Sequence, residues 1–235
     1  MNMTYVTADI HGNLDRFESI MKQINLQPDD TLYILGDVVD RYPHGIKILR
    51  RIMTMPNVKM LLGNHEYMML KSIGHCRDAA DEKENTNWEQ KRIWYRNGGR
   101  VTHEYLKHIT KAKRAEIFNF IRKLPLNFDV EVNRVKYKLV HGSPVENYET
   151  NSWYSYEYKD IQEFAVWERW HETSPVPEGC VMIFGHTPTS NFQSRFPYSI
   201  WKSENAIGID CGCGYMEGRL ACLRLDDLKE FYSMV

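Results

Sequence analysis

Five short apolar runs in this chain each end in a polar cluster, and that pattern limits the folds open to it. The run 5–8 ends at Asp9-Ile10-His11, and the run 31–35 ends at Gly36-Asp37. Residues 58–62 lead into Gly63-Asn64-His65-Glu66, residues 135–140 into His141-Gly142, and residues 180–184 into Gly185-His186. Between the first three runs, Leu14, Phe17, Ile20, Met21 and Ile24 recur at helical spacing, as do Ile46, Leu49, Ile52 and Met53. Strand, helix, strand, helix and strand therefore alternate within the first 65 residues. Such alternation predicts an α/β fold with a parallel sheet.

The pattern then changes. Residues 77–91 are polar and mostly charged without a clear period, which predicts a surface segment. The stretch Trp94 to Gly99 reads as a helix end with a glycine stop. Ile117, Phe118, Ile121 and Leu124 make a helical face that Pro125 closes. Residues 72–124 thus read as a mainly helical insertion in one domain spanning 1–235. Beyond it, runs 128–132 and 135–140 flank Asn133-Arg134, a hairpin signal. The Tyr- and Trp-rich stretch 145–170 reads as loop plus helix. Runs 206–210 and 219–225 are the closing strands, with 212–218 turning between them.

Composition narrows the partners. Lys plus Arg (30) and Asp plus Glu (31) nearly cancel, leaving a net charge of -1. A balance this even gives no global attraction to nucleic acid or anionic membrane, so neither is an expected partner. No stretch nears the ~20 apolar residues of a membrane span, and there is no basic-then-apolar leader. The five cysteines include no CxxC pair. A reducing cytoplasm is the expected setting.

At the carboxyl ends of strands in α/β sheets, a crevice receives ligands. Carboxylate, imidazole and amide groups brought there from separate strands are a metal-binding set. Nitrogen and oxygen donors without thiolate suit Mn, Fe or Zn. Six donors exceed what one catalytic ion takes when it keeps open positions. Two ions sharing a carboxylate would use them all.

Together, Asp9-x-His11-Gly12, Gly36-Asp37-Val38-Val39-Asp40-Arg41, Gly63-Asn64-His65-Glu66, Val140-His141-Gly142 and Gly185-His186-Thr187 resemble the ordered motifs of the calcineurin-like metallophosphoesterases. The Asp40-Arg41 extension is similar to the PPP branch, the phosphoprotein phosphatases. The compact length and the ending 211–225 resemble small bacterial and phage-type members. That resemblance implies a β-sandwich flanked by helices, with a dinuclear metal site at the sheet edge. Asp9, His11 and Asp37 would hold one ion. Asp37, Asn64, His141 and His186 would hold the second, with Mn favoured and Fe or Zn as alternatives. His65 would protonate the leaving oxygen, Asp40 would orient His65, and Arg41 would grip phosphate with its planar fork. Arg169 is the best match for a second phosphate arginine, with Arg195 its competitor. The reaction implied is direct attack by a hydroxide bridging the ions, without a phosphoenzyme.

The function so implied is hydrolysis of phosphoserine and phosphothreonine, with aryl phosphates, and the partner is a phosphoprotein or small phosphomonoester. The alternative is a dinucleoside-polyphosphate (diadenosine tetraphosphate) hydrolase. A non-catalytic phosphate-binding protein is disfavoured, since no ligand is missing. One departure is Tyr42, where the family usually has Gly. It predicts an altered backbone, or a ring over the site that narrows the approach to Arg41. His44, His75, His103, His108 and His171 read as surface or packing residues, and Cys211 and Cys213 as packing. Trp153, Tyr154, Tyr156, Tyr158, Trp167 and Trp170 fit a substrate groove or a core equally well.

Overall fold

Period-two alternation sets the layers of the molecule, whose computed structural model describes residues 2–78 and 80–234. In β1 (Thr4–Thr7), Tyr5 packs among helices while Val6 faces the other way. In β2 (Thr31–Ile34), Leu32 and Ile34 join the helical side and Tyr33 the opposite one. Successive side chains on a strand point to opposite faces, so a strand apolar at every position is buried on both. β3 (Val58–Met60) completes a parallel trio with β1 and β2. The crossovers are α1 (Leu14–Ile24) and α2 (Gly45–Ile52), which bury Phe17, Ile20 and Ile24 and Ile46, Leu49 and Ile52. Asn13 caps α1 through a side chain that accepts from the Arg16 amide.

Five helices follow: α3 (Asn64–Ile73), α4 (Glu82–Asn85), α5 (Trp88–Arg96), α6 (Arg100–Lys107) and α7 (Lys111–Ile121). Most of the stretch expected to be helical is so. Most described residues of 77–91 are exposed, as expected of a surface segment, but Glu82, Thr86 and Lys91 are buried anchors within it. The Glu82 carboxylate meets His103 Nε2 at 2.5 Å, Arg114 Nη2 at 2.6 Å and Lys91 Nζ at 3.6 Å. Anchors buried by ion pairing carry no apolar period, so the sequence gives no sign of them.

The chain continues through β4 (Asn127–Val132), β5 (Val135–Val140), α8 (Ser152–Glu157), α9 (Ile161–Trp167) and β6 (Val181–Phe184). It ends with β7 (Trp201–Lys202), β8 (Ala206–Gly208), β9 (Ala221–Arg224) and β10 (Lys229–Tyr232). Asn133 and Arg134 join β4 to β5 with φ values of 51° and 67°, as a two-residue hairpin turn demands. Among the described residues the strands form two mixed sheets, ordered β10-β9-β1-β2-β3 and β4-β5-β6-β8-β7. Val6, Leu35, Leu61 and Leu223 meet Leu139, Ile183 and Ile207 in a shared apolar layer between them. Helices cover the outer face of the first sheet, and Trp170, Phe184, Phe192 and Trp201 cluster on the second. Among the described residues no helix is long and apolar enough to cross a membrane.

Candidate active site

Strands β1, β2, β3, β5 and β6 deliver their polar clusters to one place. Asp9 follows β1, Asp37 lies past the end of β2, Asn64 opens α3 after β3, and His141 and His186 follow β5 and β6. All six expected ligands are buried. The backbone there is strained. Asp9, His11, Asp37, Asp40, Arg41 and His186 adopt φ values between 50° and 73°, the left-handed region that costs side-chain-bearing residues energy. Local contacts over-determine that geometry. Both oxygens of Glu66 accept backbone N–H groups, from Asp37 and Gly63 on one side and Val38 and Val39 on the other. Asp37 Oδ1 accepts the His65 amide at 2.9 Å, and Asp9 accepts the His186 amide at 3.1 Å. Gly63 is required here, since a Cβ would lie 2.2 Å from Asp37 Oδ1.

The imidazole hydrogen bonds decide which ring nitrogens are free. His11 Nδ1 faces the Val39 carbonyl at 3.4 Å, and His141 Nδ1 faces the Leu35 carbonyl at 2.6 Å. His186 Nε2 faces the Trp167 carbonyl at 3.1 Å. A carbonyl accepts only, so each of those nitrogens carries hydrogen and the other keeps a lone pair. The free His11 Nε2 lies 4.0 Å from Asp9 Oδ1 and 3.9 Å from Asp37 Oδ2. The free His141 Nε2 lies 2.9 Å from Asn64 Oδ1 and 3.6 Å from Asp37 Oδ1. Lone pairs this close repel unless a cation draws them together. One donor atom from each of Asp37, His141 and His186 falls within 4.8 Å of the others. The donor set therefore fits divalent cations.

Electrostatics agree. Burial, with neighbouring positive charge, pushes His11 and His186 well below the ordinary histidine pKa, and burial lowers His141. Neutral imidazole is the form that ligates. Burial and the nearby carboxylates of Asp210 and Asp37 push Asp9 well up. Burial alone would raise Asp37 too, but the surrounding histidines hold its carboxyl far below the usual range. Burial raises Asp210 to about 6. Acidic groups crowded this way are relieved by a bound cation.

His65 is set apart. Its Nδ1 lies 2.7 Å from Asp40 Oδ2, and its Nε2 faces Arg41 Nη2 at 3.5 Å. Burial works against an imidazolium here, but the carboxylates of Asp37 and Asp40 outweigh it and raise the pKa. Arg41 stacks its guanidinium 4.9 Å from the centre of the Tyr215 ring. Arg169 donates from Nη1 to the His186 carbonyl at 2.7 Å. Both arginines line a small cavity of about 40 Å³ with Asp9, His11, Asp37 and His65. Arg195 is exposed over Phe196 instead.

Sequence reasoning missed Asp210, Tyr215 and Asn97 in the cavity wall. Asp210 ends a sixth apolar run, so the rule that found the other clusters would have found it. Tyr215 carries no such signal. Its loop is held by Arg16, which donates to the carbonyls of Cys213, Tyr215 and Met216. Tyr42 does not line the cavity, contrary to the expectation of a ring over the site. The positive φ angles fall on Asp40 and Arg41, so position 42 needs no glycine. The aromatic set divides. Trp167 lines the cavity, Trp170 is core, and Trp153 and Tyr156 are exposed. Cys211 and Cys213 are buried free thiols, with burial raising both pKa values, Cys213 to about 12.

Comparison with known proteins converges on the same reading. The chain is 36% identical over 99 residues to the symmetrical bis(5'-nucleosyl)-tetraphosphatases of Yersinia pestis and Yersinia pseudotuberculosis. That match covers 36% of this chain and 34% of those proteins, so it spans about a third of their length. A solved structure given as a candidate diadenosine tetraphosphatase shares the fold at a TM-score of 0.61 and 16% identity, covering 98% of this chain and 92% of its own. A protein serine/threonine phosphatase of Saccharomyces cerevisiae does so at 0.53 and 15%, covering 100% and 80%. The calcineurin-like phosphoesterase family matches residues 4–225. With the fold, the clustered donors and that span in agreement, the chain belongs to the calcineurin-like phosphoesterase family.

Proposed function

We propose that this protein is a divalent-metal-dependent hydrolase that cleaves dinucleoside tetraphosphates such as diadenosine tetraphosphate. The observation that carries the substrate class is the 36% identity over 99 residues to symmetrical tetraphosphatases. The cavity offers groups suited to a phosphoryl group and its surroundings. Arg41 and Arg169 offer two cations, and Tyr215 and Trp167 stand beside them in the cavity wall.

Bound among Asp9, His11, Asp37, Asn64, His141 and His186, two divalent ions, Mn or else Fe or Zn, would supply an acidified water and neutralise phosphate charge. Arg41 and Arg169 hold the oxygens of the phosphoryl group under attack. Asp40 accepts from His65 Nδ1 and, with Asp37, favours the imidazolium, the form that carries a second proton on Nε2. As the phosphorus–oxygen bond breaks, that proton passes to the leaving oxygen. The oxygen of the attacking water stays on the attacked phosphoryl group, which leaves as the end of one nucleoside diphosphate.

A second reading is phosphomonoester hydrolysis on phosphoserine and phosphothreonine. The Asp40-Arg41 pair favours it, because a fork-shaped cation suits a terminal dianion. The test is kcat/KM with Mn²⁺ on diadenosine tetraphosphate, phosphopeptides and aryl phosphates. A tenfold preference for the dinucleotide, about 1.4 kcal/mol of transition-state binding, is the expected result. Preference for phosphopeptide by that margin transfers the assignment to the second reading. In ¹⁸O-water, one labelled nucleoside diphosphate and one unlabelled partner are expected per tetraphosphate.

A further inference from the structure

We infer that Trp94, on the helical insertion, is a positioning residue of the reaction: its indole N–H holds Asp40 against His65. The inference rests on the acid–base roles of His65 and Asp40 given above. Trp94 is fully buried on α5. Its Nε1 donates to Asp40 Oδ2 at 2.8 Å, and the same oxygen lies 2.7 Å from His65 Nδ1. One carboxylate oxygen thus takes two hydrogens, one from an indole that cannot leave and one from the imidazole that must keep its orientation. Among the described residues Asp40 Oδ1 has no side-chain or backbone partner, so the polar demand of this carboxylate falls on Oδ2.

Two further contacts from the same insertion fix the Asp40 backbone. Thr102 Oγ1 on α6 accepts the Asp40 amide at 3.0 Å, and the Gly98 carbonyl accepts the Arg41 amide at 3.3 Å. These hold Asp40 and Arg41 at φ values of 73° and 67°, where an ordinary residue resists staying. Gly99 keeps the indole in place, since a Cβ there would lie 2.2 Å from Nε1. The insertion is therefore the support that an otherwise strained acid–base pair leans on. A carboxylate fixed on one side by a buried donor cannot swing away from its histidine, which is how an outer hydrogen bond tunes an inner group.

The experiment is Trp94→Phe, which keeps an aromatic ring and removes the donor. With Mn²⁺ bound, kcat on phenyl phosphate should fall about tenfold, the low end for loss of such an outer partner. On 4-nitrophenyl phosphate, whose leaving group needs no proton, the loss should stay below about twofold. KM and metal content should not change. In an Asp40→Asn background, Trp94→Phe should add no further loss, because the indole acts only through that carboxylate. Independently of turnover, one indole N–H resonance in ¹⁵N-Trp protein should vanish in Trp94→Phe and shift in Asp40→Asn. Equal loss on both aryl phosphates, or losses that multiply in the double variant, overturns the role of Trp94 alone. Absence of leaving-group dependence in His65→Asn itself overturns the acid–base reading beneath it. If Trp94→Phe does not fold, Thr102→Val, which removes the acceptor for the Asp40 amide, must show the same leaving-group pattern or the inference falls.

Discussion

Asn64 and His65 are neighbours in sequence, yet the first turn of α3 sends their side chains to different partners. Asn64 Oδ1 turns toward His141, while His65 turns toward Asp40 and Arg41. His65→Asn should therefore lower kcat by about 10²–10⁴ while metal content, read by elemental analysis, stays intact. Loss of metal along with activity would assign His65 to the ligands instead. Tyr215 supplies a second test. Its ring faces Arg41 at 4.9 Å from a largely open position, 45% exposed. An exposed cation–ring contact is worth about 0.5–1 kcal/mol, so Tyr215→Ala should raise KM about two- to fivefold with little change in kcat. Tyr42→Gly should leave both constants near wild type, because its ring is not in the cavity wall. The residues legible in sequence were those that end apolar runs, since a strand end announces itself twice, by its run and by its polarity. Tyr215, reached through a loop and an arginine clamp 199 residues away in sequence, announces itself by neither.

At the scale of elements, helices and central strands were readable from period, and segments held by charge were not. Helix α1 spans Leu14–Ile24, where its apolar residues repeat, and the Asn133-Arg134 turn stands where the hairpin signal put it. Edge strands β7 and β10 escaped notice. Each is two to four residues long and mixes lysine with aromatics, which gives no run to count. The Glu82 cluster on α4 to α7 escaped for a different reason, because its buried members are ionic. Glu82 has its carboxyl held down at about 2: burial pushes it up, but His103 and Arg114 overcome that. A depressed carboxylate pKa contributes stability above its unfolded value and loses it as pH falls through the folded one. The loss should run from about pH 4.5 to about pH 2. In Glu82→Gln the urea midpoint should be lower at neutral pH and should lose this part of its acid dependence. An unchanged slope below pH 4.5 would mean that Glu82 does not hold helices α4 to α7 together.

For the whole molecule, the site is a junction between two sheets. Asp9, His11, Asp37 and Asn64 come from the ends of β1 to β3, and His141 and His186 from the ends of β5 and β6. Without a cation, that junction gathers buried carboxylates whose repulsion burial magnifies. Asp9 is the clearest case, its pKa pushed well up by burial and by Asp210 and Asp37. A carboxyl with a raised folded pKa costs stability progressively as pH rises above its unfolded value. Metal reverses the account, because an ion that binds only the folded state adds about 2.7 kcal/mol at a hundredfold excess over its Kd. For a chain of 235 residues, that is a rise in Tm of about 5–11 °C. Asp9→Asn separates the two effects. An Asn oxygen can still accept the His186 amide, so the local hydrogen bond survives while the charge goes. In chelator at pH 8 the variant should melt at or above the wild-type temperature. In saturating Mn²⁺ it should melt below wild type, with catalytic activity reduced alongside. Asp37→Asn should lose the Mn²⁺ shift altogether, since Asp37 faces His11 and His141 at once. A change of the same sign in chelator and in metal would mean that Asp9 serves the fold rather than the cation.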